Sequence, residues 1–385
     1  MLVTQVYDIV NNATKEILGE TSVVAEDLQN IVDIGKEVFD SDAVDHYVKK
    51  LVDHIGKVIF VNRKYAGGAP SVLMDGWQYG AVLEKISAEM PEATENEAWQ
   101  LEDGVSYDPN IFTQPKVSAK FYNKRITFEV PMSFTSDQVK SSFSSAEQMN
   151  GFLSMIYTAI ENSLTVKTDA LIMRTINNMI GETFYDMNSG GTYTGAGNTR
   201  AINLLKLYND TYSASQTVAG ALYDDKFIRF AAYQMGLIKS RISKISRLFN
   251  IGGKERFTPS DRLHFVTLAD FQQAADVFLQ SGVYHDEFTK LPAAETVPYW
   301  QGSGTGYDIT ATTALNITTA SGHAVTPSGI LGVMFDRDAL GVCNVDRKVT
   351  TNYNPKADFW NNWYKFFAGY FNDANENFVV FYMAA

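Results

Sequence analysis

Histidines, cysteines and glycine-rich loops are where chemistry is sought first. Imidazole and thiolate bind metals and act as bases or nucleophiles, and glycine loops expose backbone N–H groups to phosphate. The histidines are His46, His54, His264, His285 and His323. None falls in a metal-ligand motif. His46 and His54 lie eight residues apart on one expected helix, each preceded by Asp. Two turns is too far for joint ligation, so the pair reads as a solvated helix face. The sole cysteine, Cys343, has no histidine near it in sequence, and there is no GxSxG elbow. "NIGGKER" (Asn250 to Arg256) is shaped like a phosphate loop but lacks the upstream Gly and the Ser/Thr after Lys254. "GSGTGYD" supplies GxGxG with no helix after it. A flexible turn is the better reading of both. Carboxylates are plentiful, but acid–base pairs cannot be picked from one sequence, and each reads as soluble surface. No catalytic residue, cofactor or metal is assigned, and the chain is not expected to be an enzyme.

Composition narrows the class. The 385 residues suffice for two or three domain-sized units, with 45% hydrophobic and 20% charged residues as in ordinary folded proteins. The net charge of -12 argues against sequence-specific nucleic-acid binding, which needs clustered Lys and Arg. A single cysteine excludes an internal disulfide and fits a reducing compartment. "MLVTQVYDIVNN" lacks the features of a signal peptide, and no run approaches a membrane span. Synthesis in the cytosol without export is expected, with no membrane partner.

The elements come next. Val3 to Ile17, Leu28 to Val38 and Val44 to Ile55 carry helical spacing, and "KVIFV" (Lys57 to Val61) reads as a short strand. Residues 62 to 120 hold "AGGAP", "DGWQYG", "EMPEATENE" and "YDPN", all turn or loop signals, with short strand-like pieces between them. So long a stretch with so little core is a binding loop, a projecting hairpin or disorder. "VSAKFYNKRITFEVPMSF" alternates over Ile126, Phe128 and Val130 and reads as a returning strand. A helix is predicted from Ser144, with Glu147 at capping-box spacing, to Gly181 as its stop. Its roughly 36 residues make a rod on the order of 50 Å long. "YDMNSGGTYTGAGNTR" follows as a Gly-rich connection and domain boundary. Then come a helix capped by Asn198 or Thr199, helical residues to about Phe249, and a strand, a turn at Ala269-Asp270 and a helix in "LHFVTLADFQQAADVFLQSG". The Gly-, Ser- and Thr-rich run from Tyr299 to Gly329 should be an extended surface segment, and "GILGVMFDRDAL" restores a strand.

"DFWNNWYKFFAGYF" (Asp358 to Phe371) has eight aromatic residues in fourteen. Tyr, Trp and Phe favour strands, and a strand sends alternate residues to opposite faces. Phe359, Trp363, Phe367 and Phe371 would share one face, and Trp360, Tyr364, Phe366 and Tyr370 the other. A helix would instead align Phe359, Trp363, Phe366 and Tyr370. The strand is preferred, with core packing favoured over ligand binding.

Two stretches carry a resemblance. "VSAKFYNKRITFEVPMSF" followed by Ser144 to Gly181 looks like the return strand of the extended loop and the spine helix of tailed-bacteriophage major capsid proteins, which share the Hong Kong 97-type fold. The run from "GILGVMFDRDAL" to "FVVFYMAA" resembles that family's closing strands, and "RLHFVTLADFQQAADVF" its axial strand and helix. The resemblance implies an α+β fold. Residues 1–44 would be an N-terminal arm and 62–125 the extended loop. Residues 45–61, 126–181 and 345–385 would form the peripheral domain, and 182–344 the axial domain. It further implies pentamers and hexamers of an icosahedral shell around the genome, in a virion assembled in the bacterial cytoplasm. Portal, decoration and scaffolding proteins would be partners, a separate scaffold because the arm from Met1 is short. Packaged DNA would be held without sequence-specific contacts. A tail or decoration protein is the alternative. Candidate contacts between subunits are the aromatic residues Trp77, Tyr79 and Trp99 of the loop and Phe359, Trp360, Trp363 and Tyr364 of the closing strand.

Overall fold

The computed structural model describes Lys15 and residues 63–74, 83–96, 103, 104, 106, 110–135, 146–189, 191, 193, 195, 197–280, 291, 294–300, 317–357 and 359–384. The expected arm helices, "KVIFV", "GSGTGYD", His46, His54, His285, Trp77, Tyr79 and Trp99 lie outside them. In chain order the elements are β1 (Leu73–Met74), β2 (Leu83–Ala88), β3 (Val117–Tyr122), β4 (Arg125–Thr135), α1 (Ala146–Asn188), β5 (Ala201–Asn203), α2 (Leu204–Tyr212), α3 (Val218–Ala221) and α4 (Asp225–Ile242). They continue with β6 (Leu263–Leu268), α5 (Ala269–Gln280), β7 (Glu295–Val297), β8 (Ile317–Thr318), β9 (Ala324–Val325), β10 (Ile330–Asp336), β11 (Leu340–Asn354), β12 (Phe359–Asn372) and β13 (Phe378–Tyr382). The chain divides into two units. One comprises Met1–Tyr65, Val130–Ser163 and Val349–Tyr364, and the other Ala66–Glu129, Leu164–Lys348 and Lys365–Ala385.

The larger unit is organised by a five-stranded sheet of order β5-β13-β10-β6-β7. Strand β13 is antiparallel to β10, with Val380 opposite Val333, and parallel to β5. All five of its residues are buried, as the unbroken apolar run "FVVFY" requires of a strand covered on both faces. One face bears Val379, Phe381 and Met334, which join a core with Leu205 of α2, Phe227 of α4 and Phe271 of α5. On the other face Tyr382 meets Phe184 of α1 edge-on, with ring centroids 5.0 Å apart. From Ala170 to Phe184, α1 is buried nearly all round. Its buried hydroxyls on Thr175 and Thr183 donate to the carbonyls of Leu171 and Met179.

Several expectations are corrected here. Gly181 does not stop α1, which continues to Asn188 and absorbs the start of the Gly-rich stretch. A Cβ at Gly181 would lie 2.7 Å from side-chain carbons of both Ile317 and Thr319, so this glycine is a close-approach site inside the helix. Those neighbours belong to the run read as surface. Ile317, Thr319 and Val325 are instead buried, because the β8–β9 hairpin packs down onto that gap in α1. Helix α2 is capped by neither Asn198 nor Thr199. Its cap is Asn203, whose side chain accepts from the Lys206 N–H, while Asn198 accepts from the N–H groups of Arg200 and Ala201 in a turn before β5. Likewise β6 passes directly into α5 with no intervening turn, and "VSAKFYNKRITFEVPMSF" is two strands broken at Asn123 and Lys124.

In the smaller unit Asn162 clamps an extended segment. Its side chain accepts from the Tyr65 N–H at 2.7 Å and donates to the Arg63 carbonyl at 2.7 Å. Ser133 of β4 donates to Asn361 of β12 at 2.6 Å.

Candidate assembly interface

The hairpin of β2 and β3 pairs Leu83 with Tyr122 through Ala88 with Val117. Strand alternation gives it two faces of opposite character. On one, Lys85 Nζ donates to Asp373 Oδ2 and Glu376 Oε1, each at 2.8 Å, and to the Asp338 carbonyl at 3.2 Å. Lys120 Nζ reaches the other Asp373 oxygen at 2.8 Å, and Arg256 Nε reaches Glu376 at 3.2 Å. Burial alone would push the Asp373 carboxyl up. Hydrogen bonds from Lys120 and Lys85 outweigh it and hold the group below its ordinary value. Tyr122 sits on this face with its ring 5.2 Å from Phe371. Its phenol is pushed well up by burial and then by the Asp373 charge. The hairpin is thus tied to the turn between β12 and β13 by ion pairs.

The other face is open and mostly apolar, with Glu84 opposite Phe121 as its one charged residue. Ile86 is 64% exposed, Val117 62% and Phe121 65%. Ala119, opposite Ile86, and Ala88, opposite Val117, share this face and are also exposed. Farther along, Ile111 and Phe112 are 75% and 85% exposed. Contiguous exposed apolar surface marks sites where another protein packs.

The closing aromatic stretch is a strand, β12, the preferred of its two readings. Its later half is the better buried. Phe366 stacks on Phe128 at 6.4 Å beneath the Arg347 guanidinium, and Arg174 lies over Tyr370. Of the candidate contacts, Phe359, Trp363 and Tyr364 are half-buried, and Trp360 is 48% exposed. Tyr364 meets Tyr157 edge-on at 6.4 Å, and burial, then Tyr157, raise its phenol. Trp360 lies 4.7 Å from Tyr353. The structure therefore gathers these four on β12 and adds Ile86, Val117 and Phe121, which the sequence reading missed. The signal was present in the alternation of "LEKISA" against "VSAKFY", hidden by the loop residues between.

Those residues first suspected of chemistry that lie among the described residues have structural partners. His323 Nδ1 lies 3.1 Å from Glu182, and its ring stacks on Tyr185 at 3.5 Å. His264 stacks on Phe335. Cys343 is buried. In "NIGGKER", Asn250 closes the turn onto Lys254 N–H and C=O, and Lys254 Nζ pairs with Glu89 at 2.6 Å. The hydrogen bond from Lys254, and then its charge, hold the Glu89 carboxyl below its ordinary value. Among the described residues no group of three or more His, Cys, Asp or Glu is placed to hold a metal ion, and no helix is long and apolar enough to cross a membrane.

An α+β chain with one very long helix, an ion-paired hairpin and an open apolar face invites comparison with proteins that pack against copies of themselves. Residues 9–382 match the family model of the Phi29-like phage major capsid protein. The chain belongs to that family. The major capsid protein of Bacillus phage B103 is 23% identical over 369 residues, covering 94% of this chain and 69% of the phage protein. That of Bacillus phage GA-1 is 26% identical over 175 residues, covering 43% and 34%. The capsid structure of Staphylococcus phage Andhra shares the fold, with a TM-score of 0.54 at 10% identity over 86% of this chain and 87% of that one. The α+β capsid fold and the reading as a phage major capsid protein, a component of the virion, follow from these matches. In a Phi29-like major capsid protein an open apolar hairpin face is surface that a shell can cover.

Proposed function

We propose that this chain assembles as pentamers and hexamers into a closed icosahedral shell around packaged DNA. Assembly takes place in the host cytoplasm on a separate scaffolding protein, with portal and decoration proteins joining the shell. The role is structural, not catalytic. Residues 1–44 act as an arm, 62–125 as the extended loop that lies on a neighbouring subunit, and 182–344 as the axial domain. Residues 45–61, 126–181 and 345–385 form the peripheral domain. Trp77, Tyr79 and Trp99 serve as further anchors of the loop, and Phe359, Trp360, Trp363 and Tyr364 line a second contact. With a net charge of -12, the subunit holds DNA weakly and without sequence preference.

The observation that carries this reading is the open face of Ile86, Val117 and Phe121, held in place by ion pairs on the opposite face of the same hairpin. Apolar anchors at the centre of an interface can each be worth about 2 kcal/mol or more. The test is expression with a cognate scaffold, followed by sedimentation and negative-stain microscopy. Wild-type chain should give closed shells, and Ile86→Ser/Phe121→Ser should give folded subunits without shells. Shells from the double variant would remove the hairpin from the contact, and a stable wild-type monomer would overturn the shell itself.

A further inference from the structure

In a chain with a net charge of -12, the stretch between Asp225 and Glu255 holds seven basic residues and no acidic one. It spans α4 and the turn that follows. Cations favour a helix C-terminus, which accounts for Lys239 and Arg241 in the last turn of α4. It does not account for Lys226 and Arg229 near the start of α4, or for Lys244 and Arg247 beyond its end. Arg247 pairs with Glu255 at 2.8 Å, and Lys254 with Glu89 at 2.6 Å. Among the described residues Lys239, Arg241 and Lys244 pair with no carboxylate, and Arg241 and Lys244 are exposed. Apolar side chains stand beside these charges. Ser246 and Arg256 exchange backbone hydrogen bonds at 3.0 Å, so Ile245 comes opposite Phe257 and Arg247 opposite Glu255. Arg256 turns inward to Glu376, and strand alternation therefore sends Ile245 and Phe257 outward. Ile245 is 43% exposed and Phe257 55%.

Unpaired cations around exposed apolar residues discriminate between occupants. A nucleic-acid backbone would use the charges and leave Ile245 and Phe257 in water. A protein helix with carboxylates beside an apolar stripe uses both. We propose that this face, with Arg241, Lys244 and Arg247 around Ile245 and Phe257, docks an acidic amphipathic helix of a second protein. The apolar stripe of that helix covers Ile245 and Phe257, and its carboxylates meet Arg241 and Lys244. The inference rests on the shell reading above, which brings other proteins to the subunit, and gives one of them a receptor.

The probe is a synthetic helical peptide with leucine at i, i+3, i+4 and i+7 and glutamate elsewhere, titrated into unassembled subunit by calorimetry. Wild type should bind it. Arg241→Gln/Lys244→Gln and Ile245→Ser/Phe257→Ser should each weaken binding about tenfold or more while the subunit melts as wild type does. The same peptide with lysine in place of glutamate should not bind. No binding of the glutamate peptide, or binding insensitive to either pair of substitutions, overturns the docking. Duplex DNA that binds more tightly than the peptide, and loses that affinity in Arg241→Gln/Lys244→Gln, overturns it too and assigns the face to nucleic acid. Sedimentation of the subunit alone is the second readout. If the two variants abolish self-association, the face belongs to a second copy and the proposal fails. A wild-type chain that binds the peptide but forms no shells with a cognate scaffold overturns the shell reading alone.

Discussion

Phe381 in β13 and Phe121 in β3 are the same residue type in the same secondary structure, yet the first is wholly buried and the second is 65% exposed. The difference lies in what covers each strand. β13 is the second of five strands, with helices over one face and α1 over the other. The β2–β3 hairpin is a sheet of only two strands, and such a pair is marginal by itself. One of its faces is held by Lys85 and Lys120, and the other is left bare. A subunit that must fold alone and then associate needs both kinds of strand. The buried sheet supplies stability to the monomer, and in the function proposed above the bare face is what a partner subunit covers.

The largest effect should come from truncating the buried strand. Phe381→Ala leaves a cavity among Phe265, Leu331 and Val379 and should cost about 3–5 kcal/mol. Urea unfolding of the unassembled subunit should show it. Phe121→Ala should change the same curve by no more than about 0.5 kcal/mol. Equal losses at the two positions would mean that the hairpin belongs to the subunit core and would dissolve the contrast.

Next in size is the ion-paired face. Lys85→Met removes two of the hydrogen bonds to the carboxylates of Asp373 and Glu376, and Asp373 is buried to 2% exposure. Removing one partner of a buried pair leaves the other uncompensated. A loss of about 2–3 kcal/mol is expected, below the fully buried range because Lys85 is partly exposed and Lys120 remains. Hydrogen exchange should show the loss in β2 and β3 while β13 stays protected. The pH dependence has a defined sign. Asp373 is held below its ordinary value in the folded chain, so its contribution is present above the unfolded pKa and is lost as pH falls through the folded one. Hairpin protection should therefore fall below about pH 4, and Asp373→Asn should remove that dependence. Retention of the full acid response in Asp373→Asn would assign it to another carboxylate.

These contrasts also explain what the sequence disclosed. The aromatic run of β12 and the unbroken apolar run of β13 were legible as strands from residue type, because Tyr, Trp, Phe and Val favour strands. The long helix was legible, but its end was not. Gly181 has the local chemistry of a stop, yet it is needed where Ile317 and Thr319 press against α1, a contact between residues more than a hundred positions apart. The Asn203 cap was missed because the short strand β5 precedes α2 and shifts its start. The open hairpin face was hidden for a similar reason. Its two strands are separated by a run with the composition of a loop, and only their pairing brings Ile86, Val117 and Phe121 together.

A smaller effect tests the glycine directly. Gly181→Ala gains up to about 1 kcal/mol of helix propensity but forces a methyl into contacts of 2.7 Å, for which overpacking costs about 1–3 kcal/mol. A net loss of about 1 kcal/mol is expected in thermal melts of the subunit. A gain would mean that the β8–β9 hairpin yields easily and that Gly181 is there for another reason.

A smaller effect again on the lone subunit should be at Trp360, which stands between the extremes of Phe381 and Phe121. It is 48% exposed, and its described ring neighbour is Tyr353 on β11, with centroids 4.7 Å apart. An aromatic pair on a sheet surface contributes about 0.5–1 kcal/mol. Trp360→Ala should therefore lower subunit stability by about that much, whereas Trp360→Phe should lower it by less because a ring remains against Tyr353. If the exposed half of the ring serves only solvent, both variants should form shells as wild type does. If it is an anchor between subunits, Trp360→Ala should form fragile or missing shells while its subunit melts almost normally, as expected for Phe121. Microscopy and melting of the same preparation decide between the two. A large loss of subunit stability would place Trp360 with Phe381, inside the core, and move the boundary between the two kinds of strand.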